Sequence, residues 1–71
     1  MAQPDRQPKA GDVWRKVYHL ERGNQYGAEE RIDKVTALCV FTRMANNPVQ
    51  WRFRYPTVDF LRHFEFVREG K

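Results

Sequence analysis

The sequence contains no serine, one cysteine and two histidines. Without serine there is no serine-nucleophile site, and Cys39 alone cannot form an internal disulfide or a multi-cysteine metal site. Cys39 lies in an apolar run, so we interpret it as a small buried residue and not as a nucleophile. His19 and His63 have no Cys/His or paired-carboxylate spacing around them that would suggest a metal ligand set or a catalytic base. We therefore predict a protein that is not an enzyme and uses no metal or cofactor.

Long apolar runs are also missing. No stretch approaches the roughly 18 apolar residues that a membrane span needs, and residues 1–10 lack the apolar segment of a signal peptide. Those residues include Pro4 and Pro8, and we interpret them as a disordered leader. The remaining residues, 11–71, are predicted to form one small domain. With no disulfide available, we expect it in the cytoplasm.

Aromatic and cationic residues are the abundant classes. Aromatic side chains make up 14% of the 71 residues, and the formal net charge is +4. A domain of this length buries only about 60% of the surface that its unfolded chain exposes, so pairing with a second copy would stabilise it and a homodimer is one expectation. The charge favours anionic partners mildly.

Two segments have the composition of strands. Residues 13–20 alternate so that Trp14 and Tyr18 share one face, which predicts a first strand with these two aromatics in the core. Residues 32–44 are dense in β-branched and aliphatic side chains, which predicts one long central strand. Between them, residues 21–31 combine glycine, asparagine and charged residues, which predicts a turn or a long hairpin loop that is mobile.

The most regular alternation follows a predicted turn at 45–48. Aromatic and aliphatic residues alternate there with polar ones, in the order Val49, Gln50, Trp51, Arg52, Phe53, Arg54 and Tyr55. This pattern predicts a strand with one buried face and one basic face. Thr57 is predicted to cap a helical turn that ends at Phe64, and residues 65–68 to form a last strand. Together the elements predict a mainly β fold, a small SH3-like barrel or twisted antiparallel roll of four to five strands with one short helical turn near the C-terminus.

The basic face is the candidate binding site. Arg52 and Arg54 lie about 7 Å apart along one strand, and cations from neighbouring strands, Lys34 among them, would extend the pair into a stripe able to contact several phosphates. An ordinary solvated face is the alternative interpretation. Tyr26 is the aromatic side chain that we expect at a contact surface. The predicted binding residues are Gln50, Arg52, Arg54, Arg43, Arg15 and Tyr26.

Short motifs at both ends of the domain resemble a family pattern. The segment Gly11-Asp12-Val13-Trp14-Arg15 opens the domain, Trp51-Arg52 and Pro56 follow, and Phe60-Leu61 and Phe64-Glu65-Phe66 close it. In this order the motifs are similar to those of short phage and bacterial proteins of uncharacterised function. The resemblance implies a small barrel of phage-like origin in the cytoplasm of a host cell, and it implies no chemistry.

A second similarity concerns two residues. Val49-Gln50 resembles the start of the Val-Gln-Ile-Tyr pore motif of the plasmid-encoded type II dihydrofolate reductases, which are SH3-like barrels that form tetramers. Trp51 and Arg52 stand where that motif has isoleucine and tyrosine. Since the site residues are missing, this similarity does not carry the enzyme activity.

Two functions from different classes remain open. The first is a non-catalytic accessory protein, encoded by a phage or mobile element, that binds and modulates or inhibits a host or defence protein through residues 21–31 and one sheet face. The second is a nucleic-acid-binding small barrel that uses the basic sheet face. Neither function requires a membrane.

Overall fold

The structure is a computed structural model that describes residues 6–46 and 51–70. Its elements are β1 (Val13–Leu20), β2 (Gly23–Val35), β3 (Cys39–Met44), β4 (Arg52–Pro56), α1 (Thr57–His63) and β5 (Phe64–Arg68). The strands form an antiparallel sheet in the order β4-β3-β2-β1-β5. The edge strands β4 and β5 are joined by α1, and the sheet is open between them. The predicted mainly β fold with one short helix near the C-terminus is confirmed.

The first hairpin is tight, so residues 21–31 contain a short turn, and the alternative prediction of a long mobile loop is wrong. Leu20 pairs with Gly23, which leaves only Glu21 and Arg22 in the turn. Gly23 has a φ of 120°, a backbone conformation that glycine adopts without a steric penalty. Most of the expected loop is strand β2.

A second glycine of that segment marks a β-bulge. The pairing of β1 with β2 shifts register between Arg15 and Val17, so that Gly27 and Ala28 together oppose Lys16. A Cβ atom on Gly27 would lie 3.3 Å from the Cβ of Lys16. Gly23 therefore marks the end of a tight turn and Gly27 marks a β-bulge, and neither lies in a long loop.

The segment 32–44, predicted as one long strand, is two strands joined by a turn. Val35 at the end of β2 pairs with Val40 in β3. Between them, the Thr36 N–H donates to the Cys39 carbonyl at 2.9 Å, and the Thr36 hydroxyl accepts from the Cys39 N–H at 3.0 Å. A threonine hydroxyl thus organises a turn that contains no glycine, proline or asparagine, which is why the composition of this segment does not reveal it.

The core lies between the sheet and α1. Phe60 of α1 is fully buried, with its ring centroid 4.4 Å from that of Phe64 and 5.1 Å from that of Trp14. Ile32 and Val40 complete the buried cluster, and Tyr55 and Phe66 pack against it. Trp14 is in the core, as predicted.

Tyr18 is 45% exposed, so its predicted place in the core is wrong. The reason is that β1 and β2 extend past their neighbours. The β5 ladder reaches β1 only as far as Lys16, and the β3 ladder reaches β2 only as far as Glu30. Residues 18–26 therefore form a two-stranded ribbon that has no third strand beside it among the described residues, and we call this segment the ribbon.

Residues 6–10 belong to the predicted disordered leader, but they pack on the domain; residues 1–5 lie outside the described ranges. The Arg6 side chain donates to the buried Asp12 carboxylate at 3.0 Å. Its guanidinium carbon lies 4.0 Å from the ring centroid of Phe66. These contacts fix this part of the chain against β1 and β5.

Two of the motifs that carry the family resemblance, residues 11–15 and 64–66, meet across the β1–β5 ladder, where their roles are structural. Gly11 has a φ of 92°, and the Arg15 Nε donates to the Glu65 carboxylate at 2.6 Å. The ring centroids of Trp14 and Phe66 are 5.9 Å apart. Packing and turn geometry therefore account for these two motifs without a ligand.

The helix begins without the predicted cap. Pro56 occupies the N-cap position, and Thr57 is the first helical residue, with no side-chain capping bond. The Thr57 N–H instead donates to the Leu38 carbonyl of the β2–β3 turn at 2.9 Å. The prediction of Thr57 as the cap is wrong, although the helix itself is confirmed, as is the strand that follows it.

Candidate functional site

Three arginines form one row across the sheet face that points away from α1. Arg31 of β2 pairs with Arg43 of β3, and Arg43 pairs with Arg52 of β4. Directly paired residues project to the same face, and the row alternates with Ile32 and Thr42, which are buried on the core side. We call the face opposite α1 the outer face and these three residues the arginine row. Adjacent strands are about 4.8 Å apart, so the row spans about 10 Å.

A β-bulge in β2 adds two more charges to the outer face. Ile32 pairs with Thr42 and Lys34 pairs with Phe41, so Asp33 is an extra residue in β2. A bulge re-aims the side chains that follow it, and here it lets Lys34 point outward although it lies two residues after the buried Ile32. The Lys34 ammonium lies 4.9 Å from the Phe41 ring centroid.

The sequence predicts that Arg52 and Arg54 share a face, and the structure has them both exposed on the outer side of β4. Arg54 pairs with Phe41, so Lys34 and Arg54 flank that ring from opposite sides. Among the residues that the structure describes, neither Arg52 nor Arg54 has an ion-pair partner. They are the cations most available to an external anion.

Three carboxylates on the outer face are held by arginines. The Arg43 Nε lies 2.9 Å from an Asp33 oxygen, and the Arg68 Nη1 lies 2.8 Å from a Glu29 oxygen; Arg15 binds the third, as described above. The hydrogen bond from Arg68 lowers the pKa of Glu29 below its usual value. These partners fix three guanidinium groups in place.

The outer face carries the whole net charge of the described residues. Its three carboxylates stand against seven cations, which are Arg15, Arg31, Lys34, Arg43, Arg52, Arg54 and Arg68. The difference of +4 equals the formal net charge of the sequence. The other described residues include five cations and five carboxylates, which cancel, so the positive field of the described part of the chain is concentrated on one side of the sheet.

Two predicted site residues lie apart from the arginine row. The Arg15 guanidinium carbon is 3.8 Å from the Tyr26 ring centroid. Tyr26 is 49% exposed, as expected for a contact residue, but it lies in β2 and not in a loop. Arg15 is on β1, two strands from Arg43, which is about 10 Å across the sheet.

The residues just before β4 include a predicted binding residue and a predicted core aromatic. Gln50, a predicted binding residue, lies outside the described ranges, as does the end of the predicted turn at 45–48. The alternation predicts Trp51 on the buried face; this prediction is wrong, since Trp51 is 60% exposed just before Arg52. Sequence reasoning therefore missed an exposed aromatic side chain directly before β4.

Sequence reasoning also missed two charged residues of the outer face, Arg31 and Asp33. Arg31 falls in the segment 21–31 that the composition marks as a loop, and Asp33 is the extra residue of a bulge. No periodic pattern identifies a bulge before the pairing of β2 with β3 is known. Correct boundaries for β2 would have placed Arg31 on a strand.

A cavity of about 320 Å³ lies at this bulge. Its lining combines a carboxylate, an aromatic ring and cations, contributed mainly by Asp33, Lys34, Phe41, Arg43 and Arg52. The arginine row therefore borders a recess and not a flat surface.

On the core side, a buried carboxylate forms a separate polar cluster. Glu30 accepts hydrogen bonds from the Thr42 hydroxyl at 2.6 Å and from the Tyr55 hydroxyl at 3.0 Å. Burial, together with the Glu30 charge, raises the pKa of Tyr55 above its usual value. The cluster is enclosed by the fold, and within the described ranges no group of three or more His, Cys, Asp or Glu could hold a metal ion.

No protein-family model, curated protein or solved structure matches this chain. The fold and the site define a small antiparallel β domain with one basic sheet face. None of the helices in the described part of the chain has the length and apolar character to cross a membrane.

Proposed function

We propose that this protein binds the phosphate backbone of a nucleic acid through the outer face of its sheet. The arginine row is the observation that carries the proposal. Like charges directly opposite each other on neighbouring strands destabilise a sheet. A polyanion that lies along the row would relieve this repulsion and form charge-assisted hydrogen bonds to the guanidinium groups.

The spacing of the cations supports a repeating anion. The row extends about 10 Å across the strands, and Arg54 lies about 7 Å from Arg52 along β4. Successive phosphates would therefore contact separate guanidinium groups. Asp33 holds the Nε of Arg43, which orients that guanidinium towards the recess.

A binding measurement with a fluorescent oligonucleotide tests the proposal. Binding through about three phosphate contacts gives a slope of about −2 for log K against log salt on a single strand. The double variant Arg52→Gln/Arg54→Gln should bind more weakly. Its slope should be less steep, with a magnitude smaller by about 1.4. Circular dichroism would confirm that the variant is folded.

The control is the double variant Arg22→Gln/Arg62→Gln, which makes the same charge change at exposed positions in the first turn and on α1. It should keep nearly all of the affinity and slope. Equal losses in the two double variants would mean that only the net charge matters, and salt-insensitive binding would exclude a phosphate contact. Either result contradicts the proposal.

The hypothesis of a host or defence protein as partner stays a prediction, as does the homodimer. One observation favours a protein contact at a different surface. A cavity of about 410 Å³ next to the ribbon is lined by residues that include Tyr18, Leu20 and His63, and the first two are exposed apolar side chains. A Tyr18→Ser variant that loses a protein partner while keeping oligonucleotide affinity would separate the two functions.

A further inference from the structure

The cavity on the outer face contains a group that a pure phosphate site would not have. Asp33 places a carboxylate among Lys34, Arg43 and Arg52. A carboxylate repels a phosphate at close range, whereas it accepts hydrogen bonds from N–H groups. The recess is therefore better suited to a ligand part that is uncharged and carries a donor.

From this composition we infer that the protein binds single-stranded nucleic acid and that the cavity receives one unpaired base with an exocyclic amino group, which Asp33 recognises. The inference rests on the proposed function, because the backbone must lie along the arginine row to deliver the base. It adds the form of the nucleic acid and a base preference.

Asp33 has acceptor capacity left for such a base. One of its oxygens, Oδ1, lies 2.9 Å from the Arg43 Nε, and its side chain is 30% exposed. Among the described residues the other oxygen has no hydrogen-bond partner. Cytosine and adenine present amino donors, whereas thymine presents a carbonyl oxygen at the corresponding position. The carboxylate therefore favours cytosine over thymine, two bases of the same size.

The other walls suit an unpaired base. Phe41 gives the recess an apolar surface, and a recess of about 320 Å³ is at the lower end of the range of small-molecule sites. A base in a duplex stays stacked and paired, and it would enter only after leaving the helix. A single strand can turn a base inward at lower cost.

Trp51 lies directly before the edge strand β4, where a single strand that passes Arg52 can continue around the edge of the sheet and stack a base on its ring. It is 60% exposed and directly precedes Arg52. Stacking of a base on an aromatic ring beside a cationic groove is the usual way in which proteins hold single strands. Trp14 is buried, so a fluorescence change upon binding would report mainly on Trp51.

The test compares oligodeoxycytidylate, oligodeoxythymidylate and a mixed-sequence duplex of equal length at neutral pH and low salt. We expect the wild type to bind the cytosine strand about three- to tenfold more tightly than the thymine strand, the range for one hydrogen bond. The duplex should bind more weakly than either strand. Asp33→Asn should abolish or reverse the base preference, because its amide can donate to the thymine carbonyl.

Asp59→Asn on α1 is the matched control, because it removes the same charge from an exposed helix position. It should keep the cytosine preference. A wild type without that preference, an Asp33→Asn variant that retains it, or tighter duplex binding would overturn the inference while leaving the phosphate-binding proposal intact. If none of the three probes binds in a salt-dependent manner, the proposed function itself fails.

Discussion

Replacing Arg52 with glutamine should stabilise the free protein, although it weakens nucleic-acid binding. Arg52 stands directly opposite Arg43, which stands opposite Arg31. Within the described part of the chain, Arg52 has no ion pair. The substitution therefore removes the repulsion from Arg43 and breaks no ion pair, since the nearby Asp33 carboxylate is held by Arg43.

The size of the effect follows from the cross-strand geometry. A directly opposed pair of side chains on neighbouring strands contributes about 0.2–1 kcal/mol, and for a domain of this size 1 kcal/mol shifts Tm by about 4–8 °C. We expect Tm to rise by about 1–8 °C at low salt. The screening length falls to about 3 Å at 1 M salt, which is shorter than the strand spacing, so the gain should largely disappear there.

Thermal unfolding followed by circular dichroism, at low and at molar salt, measures the change in Tm and its salt dependence. Arg54→Gln is the control, because Arg54 lies on the same strand and face but stands opposite Phe41. Both variants remove the repulsion between Arg52 and Arg54 along β4, so the difference between them isolates the contact with Arg43. A lower Tm for Arg52→Gln, an equal gain for Arg54→Gln, or a gain that persists at molar salt would refute the reasoning.

Two further predictions concern the core. Folding raises the pKa of Tyr55 above its ordinary value of 10.0. The contribution of the neutral Tyr55 hydroxyl to the free energy of unfolding is therefore complete below about pH 10. It is lost above about pH 10, where Tyr55 of the unfolded chain ionises first. In urea unfolding, the stability difference between the wild type and Tyr55→Phe should therefore narrow above pH 10, and a constant difference would contradict this. Phe60→Ala should lower the free energy of unfolding by about 3–5 kcal/mol, a large share of the roughly 4–11 kcal/mol expected for this chain length. The control Val58→Ala, at an exposed position of α1, should lower it by under about 0.5 kcal/mol. Near-native stability of Phe60→Ala would show that the aromatic cluster is not the core.

Local patterns in the sequence predict β1, α1 and β5 because each has a clear period or boundary. Pro56 ends the alternation of β4 and starts the helix, and Trp14 lies on the apolar side of a period-two pattern. The errors occur where a turn or bulge depends on pairing. The Thr36 hydroxyl organises the turn between β2 and β3, and Gly27 lies in a bulge inside β2. Composition alone reveals neither the turn nor the bulge.

The candidate site divides in the same way. The period of a strand places Arg52 and Arg54 on one face, and this is a property of the sequence by itself. That Arg31 and Arg43 stand beside Arg52 depends on the register of three strands. A shift of one residue would turn a strand's side chains to the opposite face.

That register is set by tertiary structure. The turn organised by Thr36 and the bulge at Asp33 fix which residues of β2 and β3 are opposite each other, and the pairing of β3 with β4 places Arg52 opposite Arg43. Composition determines a small, basic, aromatic-rich β domain. The concentration of its net charge on one side of the sheet, and the recess beside the arginine row, exist only because of how those strands pair, since pairing joins residues that are distant in the sequence.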